Sequence, residues 1–337
     1  MSIDDRFDEL AASLGGFYRT WAVYLGLELG LFTHLRDAGT DGLTPAELAA
    51  ASGCRTEPVE VWIRLAHAVD LVDFDGLRAR PIDDVMTVLL ADERPEYLGG
   101  QFVSTVVSSL DYDRMAEYFR TGRAIPERPP RFHRAIEAVT AQDIAVFFQE
   151  ALAELPDLAA DLVVGGRVLD VACGGGRWLI AVARRFPATT LVGVEFEPDS
   201  VGRAMRRVLV AGLGSRIVIE NRDPSDLPHG PEFDLVYFQD ALHELPDAVA
   251  ALRSAWGTVR PGGRLLVLDW CLPGTVEESR SLHGAMLWGI QLDELYQGTQ
   301  MWDHAGYLRL FAEADAPSPS VIDLPSGATL FLIQRPT

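Results

Sequence analysis

The feature that most constrains this chain is a run near its middle, RVLDVACGGGRWLIAVARRF, at residues 167–186. Val168, Leu169 and Val171 read as a buried parallel strand, three consecutive glycines end it, and an amphipathic helix begins at once. Glycine lets a backbone turn through positive φ and approach a ligand closely, and a helix start presents N–H groups that lack partners within the helix. A strand, a glycine-rich turn and a helix N-terminus together predict a binding loop for a small polar ligand. The spacing argues against two common ligands. No G-x-G-x-x-G follows the strand directly, as a dinucleotide fold requires, and no Gly-Lys-Ser/Thr closes the turn, as a phosphate loop requires.

A length of 337 residues predicts two domains with sizeable cores. Charge narrows their partners. The 49 acids against 29 bases give a net charge of −20, which argues against nucleic acid and against an anionic membrane surface. Residues 1–10 are acidic, unlike a secretory signal, and the longest apolar stretch, residues 21–32, is too short for a span and contains Glu28. Cys54, Cys173 and Cys271 lie far apart with no C-x-x-C, so neither a cysteine-based zinc site nor a disulfide framework is expected, and a cytoplasmic location fits best.

Taken in order, residues 5–36 carry Phe7, Leu10, Leu14, Phe17, Trp21, Leu25, Leu29 and Phe32 at helical spacing. Thr44-Pro45-Ala46-Glu47 is a capped helix start, a second helix is expected over residues 57–71, and LVDFDGLRARP reads as two short strands around Asp75-Gly76. Helix, turn, helix and hairpin make residues 1–92 a winged-helix domain. Its groove-facing helix would carry Arg55 and Arg64 against Glu57, Glu60 and Asp70, whereas DNA binders present a basic face. Residues 93–160 are again helical, with a stiff stop at Pro129-Pro130. From residue 161 strands and helices alternate to the end of the chain. The fold class expected is α/β, a doubly wound, Rossmann-like domain over residues 161–337 preceded by a mostly helical winged-helix domain, with ligands bound at the carboxyl ends of the strands.

Asp170-x-Ala172-x-Gly174-x-Gly176 resembles the acidic, glycine-rich first motif of class I S-adenosylmethionine (SAM) methyltransferases, with Ala172 where that family usually has glycine. The resemblance extends along the chain to the small-molecule O-methyltransferases that begin with a winged-helix dimerisation domain. It implies a homodimer paired through residues 1–92 and a helical linker or substrate lid at residues 93–160. It also implies SAM as cofactor, its methionine part held by Asp170 and the loop of Ala172, Gly174 and Gly176. Glu195, at the end of the second strand of the sheet, would take the ribose hydroxyls, Asp223 the adenine amino group, and Gln239 and Asp240 would contact SAM after the fourth strand. A cationic sulfonium suits a cleft lined with carboxylates, where an anionic nucleotide would be repelled.

For chemistry, YFQDALHELPD places His243 just beyond the fourth strand, where the resembled family has its catalytic histidine; Glu244 follows it in place of the usual aspartate. Deprotonating a phenol or enol near neutral pH asks for a base of matched pKa, which histidine supplies. Asp269, at the end of the fifth strand, matches an acid that orients this histidine. A second orienting acid belongs in the turn at residues 297–302, and none is there; Asp293 and Glu294, slightly earlier, are possible substitutes. Related C-methyltransferases of 2-oxo acids hold a metal near the same histidine. A metal on His243 with Asp293 or Glu294, joined by His283, is therefore the alternative, although the usual second histidine is missing from that helix. Trp270, Met286, Trp288 and Asp293 are expected to face the acceptor, a phenolic or enolic secondary metabolite. Another SAM-dependent reaction on the same fold, and a SAM-responsive winged-helix regulator, complete the alternatives; the acidic helix argues against the regulator.

Overall fold

A computed structural model describes residues 2–125, 128–228 and 230–337 of the chain. One compact unit comprises residues 1–113 with 129–142, the other residues 114–128 with 143–337. The helical stretch at residues 93–160 is thus divided between the two units and is no unit of its own. Of its proline-rich loop, Pro126 and Glu127 lie outside the described residues.

In the first unit the apolar run at residues 5–36 forms two helices, Ile3–Glu28 and Leu31–Ala38. Gly30 divides them with a φ of 68°, a left-handed turn that an uninterrupted helix does not contain. The second helix folds back so that Phe32 lies on Gly26, where a Cβ would come within 2.2 Å of the ring. Trp62 meets Phe32 edge-on at 5.3 Å and donates its indole N–H to the Ala22 carbonyl at 2.8 Å. Phe32 is therefore core, while Phe7, Leu10, Leu14 and Phe17 are exposed on this chain. The helix Pro45–Ser52 starts in a reciprocal cap: the Glu47 N–H donates to Thr44 Oγ1 at 3.2 Å and the Thr44 N–H to Glu47 Oε2 at 2.8 Å. The helix Thr56–Ala68 follows, its Arg64 paired with Glu60, and leads to the antiparallel strands β1 (Val72–Phe74) and β2 (Ala79–Pro81).

In the second unit β3 (Arg167–Val171), β4 (Thr190–Glu195), β5 (Ile217–Asn221), β6 (Phe233–Gln239) and β7 (Val259–Asp269) are parallel, and β8 (Ser320–Asp323) and β9 (Thr329–Gln334) close the sheet as an antiparallel pair. The strand order is β5-β4-β3-β6-β7-β9-β8. Central strands of such a sheet are covered on both faces, which is why β3 and β6 read as nearly unbroken apolar runs. Leu179, Val182 and Leu191 belong to one apolar cluster and Val171, Val236 and Phe311 to the other. The chain winds one way from β3 to β5 and the other way from β6, so the carboxyl ends of β3 and β6 flank the switch point where such sheets bind ligands. Among the described residues no helix is long and apolar enough to cross a membrane.

Gly193, in the middle of β4, sets how closely the glycine-rich turn lies on the sheet. A Cβ there would sit 2.5 Å from Leu179 Cδ1 and 2.7 Å from Cys173 Sγ. Gly193→Ala should therefore overpack this spot and lower the unfolding free energy in urea titration by roughly 1–3 kcal/mol.

Candidate active site

The turn after β3 alternates its backbone. Ala172, Gly174 and Gly176 take φ of 60°, 51° and 71°, all in the left-handed region. Glycine adopts this freely, whereas an L side chain at Ala172 costs roughly 1–2 kcal/mol. The surrounding contacts hold it there: Cys173 donates its N–H to the Val194 carbonyl at 3.0 Å, and Gly176 donates to the Cys173 carbonyl at 2.9 Å. At Gly174 a Cβ would meet nothing within 4 Å, so the turn is open at that point.

Glu195 is pinned to this turn. Its carboxylate accepts the N–H of Gly174 at 2.9 Å, of Phe196 at 2.9 Å and of Glu197 at 2.8 Å. Burial raises its pKa despite these three donors, and burial together with the charge of Glu195 raises that of Asp170 well above the usual carboxylate range. Asp223 stands exposed after β5, where the Ser225 N–H, at 2.8 Å, holds its carboxyl below the usual value. Gln239 ends β6 and accepts from the buried Tyr237 hydroxyl at 3.4 Å. Asp240, next in the chain, has a φ of 46°. Beneath the turn Trp178 and Tyr237 pack with ring centroids 4.3 Å apart, and Phe147 lies 5.1 Å from each.

At the carboxyl ends of β6 and β7 the structure brings His243 and Asp269 together. The imidazole Nδ1 lies 3.0 Å from Oδ1 and 3.2 Å from Oδ2 of Asp269, which also accepts the Trp270 N–H at 2.8 Å. Both side chains are buried. Burial alone would lower the histidine pKa; the charge and hydrogen bond of Asp269, with Asp240 and Glu294 beside them, hold it well above the usual range. The acids suffer the opposite pressure. Burial and the neighbouring Asp269 and Glu294 push Asp240 up to about 7, while burial, Glu294 and Asp240 push Glu244 up to about 8.

Two residues change places relative to the sequence expectation. Asp293 does not join His243: it forms a buried ion pair with Arg128, whose guanidinium also lies over the Tyr296 ring at 5.6 Å. Glu294 does join it, with His243, Glu244 and Glu294 each offering an atom within 4.8 Å of the others. Successive helix residues point about 100° apart, so only one of two adjacent acids can face a given neighbour. Of the two acids that could replace the one missing from the turn at residues 297–302, Glu294 is therefore the one beside His243, and of the two metal alternatives the pairing with Asp293 is separated while that with Glu294 stays within reach of one ion.

Met286 and Trp288 stand apart from the buried cluster at His243. Both are exposed on the helix Leu282–Gln297, whose buried face carries Leu287, Gln291 and Glu294, and Trp288 donates its indole N–H to Ser279 Oγ at 2.9 Å. His283 is exposed on the same helix, 6.0 Å from the Trp270 ring. Trp270 itself stands at the site and donates its indole N–H to Asp143 Oδ1 at 3.2 Å. Asp143 is the residue that sequence reasoning missed. It is fully buried, its Oδ2 has no hydrogen-bond partner among the described residues, and burial and the charge of Asp240 raise its pKa well above the usual range. The available signal was a lone acid in the otherwise apolar run of residues 143–148.

Comparison with known proteins agrees with this geometry. A family model described as a methyltransferase domain matches residues 168–263. Aclacinomycin 10-hydroxylase RdmB of Streptomyces purpurascens is 30% identical over 280 residues, covering 79% of this chain and 73% of that protein. The 27-O-demethylrifamycin SV methyltransferase of Amycolatopsis mediterranei is 33% identical over 134 residues, 39% of this chain, and the match spans about half of that relative, 49%. Human N-acetylserotonin methyltransferase, solved in complex with SAM, superimposes with a TM-score of 0.76 at 19% identity, covering 100% of this chain and 99% of that one.

Asp240 offers a test of the electrostatics. A carboxyl whose pKa is raised on folding leaves stability intact below its unfolded value of 3.8 and removes it as pH rises, fully by the time pH passes its folded value of about 7. Asparagine keeps the shape and tolerates the left-handed backbone. In thermal melts Asp240→Asn should raise Tm by about 3–6 °C near pH ~8, and by clearly less near pH ~5.

Proposed function

Because the chain belongs to the class I SAM-dependent methyltransferase family, we propose that it is an O-methyltransferase of a small hydroxylated molecule, with His243 as general base. The observation that carries this reading is the buried His243–Asp269 pair at the same edge of the sheet as the glycine-rich turn.

The residues present fit SAM. The turn is open at Gly174, the Glu195 carboxylate beside it is met by backbone N–H groups, and among the described residues the buried Asp143 Oδ2 is an unused acceptor. That donor set suits a ligand carrying an ammonium and a sulfonium and disfavours an anion. Asp170, Asp143 and the turn of Ala172, Gly174 and Gly176 would hold the methionine part, Glu195 the ribose, Asp223 the adenine amino group, and Gln239 and Asp240 the remainder. When bound, SAM supplies a methyl group activated by a positively charged sulfur.

The chain's own residues do the rest. Asp269 engages Nδ1 of His243, fixes the ring, and leaves Nε2 to take the proton of an acceptor hydroxyl. The carboxylate charges around His243 raise its pKa, so the fraction able to act as a base grows as pH rises. Trp270, between Asp143 and Asp269, is the side chain we assign to the acceptor side. In the first unit the exposed Phe7, Leu10, Leu14 and Phe17 support pairing of two copies through a winged-helix domain, and the relatives' named products support a secondary metabolite as acceptor. Similarity to a relative named as a hydroxylase over most of the chain supports a second reading, in which SAM is bound but a different bond is formed. Product mass separates the two readings, since the acceptor gains a methyl group in one and an oxygen atom in the other.

His243→Ala should leave SAM affinity by calorimetry unchanged and lower turnover by roughly 10²- to 10⁴-fold; undiminished turnover removes the base role. Asp269→Asn should also lower turnover, and because it withdraws the charge that raises the imidazole pKa, the acid limb of the pH–rate profile should move to lower pH. Dialysis against a chelator should leave the wild-type rate where it was, whereas a metal-assisted C-methyl transfer would stop.

A further inference from the structure

One edge of the second unit is charged against the rest of the chain. The helices Arg177–Arg185 and Pro198–Val210 lie on one face of the sheet, where Leu179, Val182, Val201, Ala204 and Val208 share an apolar cluster. In a chain with 49 acids and a net charge of −20, residues 177–194 and 200–219 hold seven arginines and no Asp or Glu. Arg216 donates to the carbonyls of Ala183 at 2.6 Å and Pro187 at 3.1 Å, which ties the end of the first helix to the start of β5. Arg184, Arg185 and Arg206 are exposed and make no ion pair among the described residues. Acids farther along the same edge are already engaged, Glu232 by Arg167 at 2.7 Å and Asp234 by Arg260. Apolar side chains stand in the open here as well: Leu209 is 77% exposed, Val210 88%, and Val164, next to the point where Gly165 approaches the Ala188 carbonyl, 85%. A helix C-terminus attracts cations through its dipole, which accounts for Arg184 and Arg185. It does not account for Arg206, which precedes the last turn of its helix, or for the bare leucine and valines.

We propose that this edge docks an acidic protein, through a helix that lays carboxylates on Arg184, Arg185 and Arg206 and apolar side chains on Leu209, Val210 and Val164. Every base in the chain is an arginine. A guanidinium grips a carboxylate through two parallel hydrogen bonds, and arginine is enriched among the residues that carry the binding energy of protein interfaces. Duplex nucleic acid and anionic membranes extend well past the patch into the field of the remaining surface, whose sign repels them, whereas a helix covers the patch alone. A second copy meeting this edge with an acidic surface of its own would leave the same edge open on each added molecule, and would grow open-ended chains. The helix Arg177–Arg185 starts at the glycine-rich turn and returns to the amino end of β4, so the docking edge lies across the sheet from the carboxyl ends that carry the site. Partner and cofactor can therefore be held at once, and docking requires nothing of the reaction at His243.

The probe is a fluorescein-labelled helical peptide of about five turns, with glutamate and leucine repeated at helical spacing. It is titrated with the full chain and followed by anisotropy. A Kd of about 10–100 μM is expected, rising severalfold between about 50 and about 200 mM salt. The same peptide with glutamine for glutamate should bind at least about tenfold more weakly. Arg206→Glu should also cost at least about tenfold, a loss of about 1.4 kcal/mol, while calorimetry with SAM gives the wild-type affinity. Leu209→Ser should weaken the peptide with no change of charge, and Arg184→Glu with Arg185→Glu serves if Arg206→Glu does not fold. The proposal is overturned if the acidic peptide does not bind, or if folded arginine variants bind it as wild type does. It is equally overturned if duplex DNA or phosphatidylglycerol vesicles bind more tightly than the peptide, or if light scattering shows the wild type forming chains that Arg206→Glu abolishes.

Discussion

The whole second unit depends on holding several carboxylates out of water at the carboxyl ends of parallel strands. Asp143, Asp170, Glu195 and Asp269 are all buried, and Asp240 and Glu244 join them with pKa values pushed up to about 7 and about 8. Each ionised group in such a place costs free energy unless a donor or a positive charge meets it. Backbone N–H groups meet Glu195, and the imidazole and the Trp270 N–H meet Asp269. The Trp270 indole meets one oxygen of Asp143, and the imidazole lies beside Asp240 and Glu244 as well. The apolar clusters on both faces of the sheet supply the stability that lets this charge persist, and the left-handed backbones at Ala172 and Asp240 add local strain of the kind that collects where a protein binds or reacts.

Much of this was legible in the sequence because spacing and alternation constrain the backbone strongly. Three glycines between a strand and a helix marked the turn, and regular alternation put Glu195, Asp240 and Asp269 at successive strand ends before any contact was known. The pairing of β6 with β7 follows from that alternation, and with it the meeting of His243 and Asp269, residues 26 apart in the chain. What failed was phase and partner choice. Asp293 and Glu294 are adjacent and chemically alike, so sequence could not say which one a helix would turn toward His243. Met286 and Trp288 look like pocket residues by size, yet they lie beside the buried line of Leu287, Gln291 and Glu294. Asp143 carried only a compositional signal, because its partner Trp270 is 127 residues away.

The first unit shows the converse. Its aromatic repeat reads as one long helix, and a single glycine with positive φ divides it. The break has a packing purpose. It lets Phe32 fall onto Gly26 and meet Trp62, while the earlier members of the repeat remain outside. One periodic pattern thus serves two surfaces, and periodicity by itself does not tell them apart.

At Gly193 a missing side chain determines a clearance. Cys173 Sγ occupies the space a methyl would fill, and the residues on either side of that cysteine are those whose backbone bends toward the open face of the turn. The elevation of the turn over the sheet is therefore fixed from below, by the thinnest point of β4, and is independent of whatever lies above it. A loop seated in this way is tied to the sheet twice, from below through Cys173 against Gly193 and from the side through the Gly174 N–H on Glu195, so its left-handed bends are held at one depth.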